Sequence, residues 1–271
     1  MLKLFKIEWL KINTYRTFWV LFGTFVVFFP LTVFFSASKY MEQTSGARGS
    51  GPNPEDLAKA LIGAPFVFPK IWQTSAWFGG HFFVIIGMLF VMLITNEVQY
   101  RTHRQNIIDG WSRLDFLRAK ASVMFFFVIA ATLLVFITGI ITGLAFSAPG
   151  ADLFEDVHYV AYFALMAFHY LLIGFFIAIL VKRTGLAVII YFISVYVIDG
   201  LLWLLLTIRG NQMGYFLPFE TVDALIPSPF TPEMMKLRTV ADYSLLISTA
   251  VYVSLFTYLI VNRFKNADLK T

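Results

Sequence analysis

Apolar and polar positions divide the chain into six long uncharged stretches joined by short charged clusters. Arg16 to Lys39 encloses 22 uncharged residues and Lys70 to Glu97 encloses 26. Lys120 to Asp152 encloses 31, Asp156 to Lys182 encloses 25, and Asp242 to Arg263 encloses 20. Arg183 to Arg209 encloses 25 residues with a single charge, Asp199. A bilayer core needs about 20 apolar residues at about 1.5 Å rise each, so every gap is long enough to cross. The fifth tolerates Asp199, because one Asp costs about 3 kcal/mol at a helix centre while each Leu, Ile, Val or Phe around it returns about 0.3–0.6 kcal/mol. The pattern predicts an all-α polytopic membrane protein, one transmembrane domain over 1–271, with spans at about 17–38, 72–96, 121–146, 159–181, 184–207 and 243–262.

Between the spans the periodicity changes. In residues 1–16, Leu2, Phe5, Trp9 and Ile12 recur at spacings of three and four, with Lys3, Lys6 and Lys11 elsewhere on the wheel. That predicts an amphipathic helix lying in the membrane interface. The stretch 39–70 opens as a Gly/Ser/Pro run from Ser45 and turns helical at Pro54, continuing to about Ile62. Residues 210–241 mix Pro218, Pro227, Pro229 and Pro232 with Phe216, Leu217, Phe219, Leu225 and Ile226. That is too apolar for a solvated loop and too broken for a span, and predicts short helices re-entering the membrane where protein satisfies the backbone. In the connection 97–120, the pattern predicts a short helix over Thr102 to Asp109 presenting Ile107 and Ile108, stopped by Gly110. Ser112-Arg113-Leu114-Asp115 then reads as a capping box opening the helix of the third span.

Composition narrows the class. At 59% hydrophobic and 14% charged residues, against about 25% charged in soluble domains, the chain cannot cover a water-facing surface. With no cysteine it has no disulfide and no thiolate metal site. The net charge of +5 would suggest nucleic acid, but the charges flank spans, so no nucleic-acid partner is expected. Fourteen of the Lys and Arg residues fall on the side of the termini, with the 97–120 connection and Lys182-Arg183; seven fall on the other. The richer side is cytoplasmic, which predicts a multi-pass protein of the cytoplasmic membrane with both termini on its cytoplasmic side.

Chemistry is sparse. No GxxxxGK(S/T) phosphate loop occurs, so ATP binding is not expected in this chain. The four histidines lie in four different regions and no nucleophile elbow is present, so neither a metal nor a catalytic site is expected. Asp199 is the one charged residue inside a predicted span, and such residues face a bundle interior, a subunit contact or a wet cavity. Gly139 and Gly143 form a GxxxG pair suited to close helix packing.

The order Glu97, Arg101-Thr102, a short helix, Ser112-Arg113 and Lys120 resembles the coupling loop of type-2 ABC transporter permeases. Those show an acidic residue, a Gly-Thr pair, a short helix, a Ser-Arg and a Lys; Arg101 stands here where the glycine is common. The interfacial helix, six spans and broken segment between the last two are similar as well. The resemblance implies an exporter permease, paired with a second copy or a related permease. Glu97, Arg101, Thr102, Arg104, Ile107, Ile108, Asp109 and Arg113 would then engage a cytoplasmic ABC ATPase. ATP and Mg would be held by that partner, with no cofactor in this chain. Phe216, Pro218, Phe219, Glu220, Pro227 and Pro229 would close the path outside. Two other classes compete: an integral membrane enzyme acting on lipids, which needs a polar cluster at one membrane face, and a proton-coupled secondary carrier through Asp199, which calls for further buried ionisable groups.

Overall fold

A computed structural model describes residues 2–46, 62–100, 112–181, 183–208, 210–232 and 238–266. Long apolar runs satisfy their backbone polar groups internally as helix, and no strand occurs among the described residues. A short helix α1 (Leu2–Asn13) precedes α2 (Arg16–Gly46), α3 (Ile71–Gln99), α4 (Arg113–Phe146) and α5 (His158–Leu180). The next span is composite: α6 (Thr184–Ile193), a π-helical turn (Ser194–Ile198) and α7 (Asp199–Thr207). A 3₁₀ turn (Gln212–Phe216), the single-turn α8 (Glu220–Asp223) and α9 (Asp242–Asn266) complete the order. Among the described residues six helices, counting α6–α7 as one, are long and apolar enough to cross a membrane. The chain is a multi-pass membrane protein.

The predicted spans and the observed helices coincide, with overruns where charged turns continue a helix. The Lys39–Glu42 pair, 2.8 Å apart at i,i+3, extends α2 beyond residue 38. At α4 the predicted capping box is present: Ser112 Oγ accepts from the Asp115 N–H and the Asp115 carboxylate accepts from the Ser112 N–H. This satisfies two of the orphan donors of a helix start.

Helices α3 and α5 form the centre, with 56% and 67% of their apolar stretches buried against 17–22% for the first, fifth and sixth spans. Trp72, Phe83 and Phe90 of α3 meet Phe127 of α4 and Phe163 of α5 in the core. The GxxxG pair of α4 admits bulky side chains here: a Cβ on Gly143 would lie 2.5 Å from the Phe68 ring, and one on Gly139 2.9 Å from Trp72. In the fifth span the π turn adds a residue and so rotates the helix beyond it by about 100° relative to a plain α-helix. Asp199, the next residue, is 5% exposed while its neighbour Ile198 is 49% exposed.

Candidate functional sites at the two ends of the bundle

At the α1 end, four charged side chains from three helices converge. The Lys120 ammonium, buried at the start of α4, donates to Glu8 of α1 and, at 2.6 Å, to Glu97 at the end of α3. Lys11 adds contacts to Glu8 at 3.1 Å and Glu97 at 3.5 Å. Burial opposes ionisation of Glu8, but Lys120 and then Lys11 outweigh it and hold its carboxyl below the usual range. For Lys11 burial is likewise outweighed, by Glu97 and Glu8, which raise its pKa. Aromatic packing seats the same helix: the Trp9 ring lies 5.2 Å from Phe126 and 6.0 Å from Phe18. Beside it, the Tyr15 hydroxyl accepts from Asn96 at 3.1 Å, and Thr184 at the start of α6 donates to Asn96 and Gln99 at 2.8 and 2.9 Å. Thus α1, α3, α4 and α6 are joined directly around the two ends of the 97–120 connection.

At the far end the Pro-rich segment is held by every span but the first and third. His169 of α5 donates to the Pro218 carbonyl at 2.8 Å, and Tyr252 of α9 to the Phe216 carbonyl at 2.8 Å. Gln73 of α3 reaches the Pro227 carbonyl at 2.8 Å. Asp199 accepts from the backbone N–H groups of Phe219 (3.3 Å) and Glu220 (2.8 Å), so it caps the start of α8. The Tyr170 hydroxyl lies 2.8 Å from both oxygens of Asp223. Phe219, Val222, Leu225 and Ile226 are buried against these helices. Beneath the segment lies a cavity of about 780 Å³ lined by residues of α3, α5, α6–α7 and the segment itself, including Asp199, Glu220 and Asp223.

A family model described as a protein of unknown function (DUF2705) matches residues 67–270. The chain belongs to the DUF2705 family. A comparison with curated proteins finds no match. The DUF2705 stretch takes in the whole cavity, the Pro-rich segment, Glu97 and Lys120, while Glu8 and Lys11 precede it.

The residues singled out from sequence fall unevenly on this DUF2705 structure. Phe216, Pro218, Phe219, Glu220, Pro227 and Pro229 come together in one packed segment, and Asp199 joins it from the fifth span. Glu97 meets α1 and α4. Arg101, Thr102, Arg104, Ile107, Ile108 and Asp109 lie outside the described residues, as does the stretch 47–61; for Arg113 the backbone alone is described, opening α4. Lys120 enters the sequence reading only as part of the coupling-loop resemblance, and Glu8, Tyr170 and Asp223 are not singled out there. Glu8 carries a signal all the same, since it lies three residues after Phe5 and four before Ile12, an acid on the apolar stripe of its helix.

Proposed function

We propose that this chain is the membrane-spanning permease subunit of an ATP-binding-cassette exporter, paired with a second permease and driven by a separate cytoplasmic ATPase. The observation that carries the reading is the buried Glu8–Lys120–Glu97 bridge. It fastens the N-terminal helix to both helices that flank the 97–120 connection. A force applied to that connection therefore moves α1, α3 and α4 together, which is what a coupling loop requires. In this reading α1 lies in the cytoplasmic interface, both termini are cytoplasmic, and the Pro-rich segment is an external closure. Its depth supports a re-entrant segment. Asp199 lies eight residues before the end of α7 and Tyr170 twelve after the start of α5, so at about 1.5 Å per residue their partners sit about 12–18 Å inside the bundle.

One observation favours a second reading, a proton-coupled secondary carrier. The further buried ionisable groups it calls for are there, because Glu220 and Asp223 line the same cavity as Asp199. The two readings separate at the coupling loop. Ile107→Asp combined with Ile108→Asp, which leaves every span unaltered, is expected to reduce ATPase association and ATP-driven transport at least tenfold in correctly inserted protein. A carrier would be indifferent to the change and would stop when a protonophore collapses the proton gradient.

A further inference from the structure

The cavity beneath the Pro-rich segment has the volume of a small-molecule site, about 780 Å³ within a usual range of about 300–1,000 Å³. Among the described residues its lining carries three carboxylates, Asp199, Glu220 and Asp223, and one Lys or Arg, Arg238. Asp199, Glu220 and Asp223 make no salt bridge among the described residues, and Arg238, which also lines it, is engaged by Asp242 at 2.7 Å and the Ala224 carbonyl at 2.8 Å. Carboxylates withdrawn from water in this way are costly to ionise unless a cation joins them. The same lining is rich in rings, with Trp77, Tyr159, Tyr196, Trp203 and Tyr215 around the acids. Aromatic faces attract organic cations and contact their apolar bodies. A metal ion is a poorer fit, since no three His, Asp or Glu side chains converge as ligands among the described residues.

We propose that this cavity is a binding site for an organic monocation with an aromatic or apolar body, its charge beside the Asp199–Glu220–Asp223 carboxylates and its body against the surrounding rings. The inference concerns binding alone and holds whether ATP or protons drive movement through the bundle. Its test needs no ATPase and no gradient, so its failure would leave the coupling reading standing.

The full chain, purified in detergent, is titrated separately with tetraphenylphosphonium and with tetraphenylborate, two ions of the same shape and opposite charge, and followed by tryptophan fluorescence. Saturable binding of the phosphonium is expected, at least tenfold tighter than the borate. Glu220→Gln combined with Asp223→Asn, which keeps the shape of the wall, is expected to weaken the phosphonium at least tenfold and bring the two ions towards equal affinity. Equal binding of both ions to the unmodified chain, or no saturable binding of the phosphonium, would overturn the site. That comparison needs no variant and so survives if the double substitution fails to fold. A folded double variant that holds the phosphonium as tightly as the unmodified chain would overturn the role of the carboxylates.

Discussion

Lys120→Met is expected to lower stability by about 3–5 kcal/mol, the range for removing one partner of a buried ion pair. The methionine fills much of the space of the lysine stem but leaves Glu8 and Glu97 with less compensation in a site where Lys120 and Glu8 are 2% exposed. Lys11 still reaches both acids. Its side chain is 38% exposed, and an exposed ammonium is screened and holds a pair with less than about 1 kcal/mol. The loss should appear as a lowered unfolding midpoint in detergent, together with a changed environment for Trp9 as α1 leaves its seat. Adding Glu8→Gln and Glu97→Gln to Lys120→Met should recover most of the loss, because no buried charge is then left without compensation. Acid should mimic the single variant. The Glu8 carboxyl is held below its ordinary 4.5, so its contribution is complete above that value and is lost as pH falls through the folded pKa. Lys11, raised above 10.5, loses its contribution only in strong alkali. A Lys120→Met chain within about 1 kcal/mol of the unmodified one would mean the bridge does not hold α1.

The second large effect is expected at Asp199. Asp199→Leu removes the acceptor of two backbone N–H groups at the start of α8, and each buried orphan donor costs about 1–3 kcal/mol. The same change favours membrane insertion by about 3 kcal/mol. These act on different events, so the spans should insert at least as well as before while the Pro-rich segment comes loose. Limited proteolysis within residues 212–231 should accelerate at least tenfold, and transport should fall with it. Asp199→Asn keeps a carbonyl oxygen for one of the two donors and should show a smaller change. If Asp199→Leu leaves the segment protected and transport normal, Asp199 does not anchor the closure.

How much of this was legible in the sequence depends on the range of the interactions concerned. The six spans are set by local composition, and the uncharged gaps locate each to within a turn or two. The capping box at Ser112 and Asp115 is a three-residue contact and is readable for the same reason. Asp199 stands out because a charge inside an apolar run is conspicuous. Its partners could not be read, since an acid inside a span is equally compatible with a subunit contact, a wet cavity or a backbone cap. What places it is the π turn at Ser194–Ile198, which leaves no mark in the hydropathy pattern. The Glu8–Lys120 bridge joins residues 112 positions apart, a pairing no periodicity contains. Lys120 reads as a flank at the membrane edge, yet the helix begins at Arg113 and carries Lys120 through two turns into a buried position. The three acids of the cavity come from two different elements and meet only because the Pro-rich segment folds back among the spans.

The central claim, an ATP-driven permease, is tested most directly by asking what binds nucleotide beside this chain. The affinity-tagged chain would be solubilised from its native membranes, isolated with its associated polypeptides and photolabelled with azido-ATP. A permease predicts a separate polypeptide carrying a GxxxxGK(S/T) phosphate loop, recovered in equimolar amount, labelled by the nucleotide, and depleted when Ile107 and Ile108 are both replaced by aspartate. Recovery of the correctly inserted chain with no nucleotide-binding polypeptide, under conditions where its transport is active, would contradict the claim.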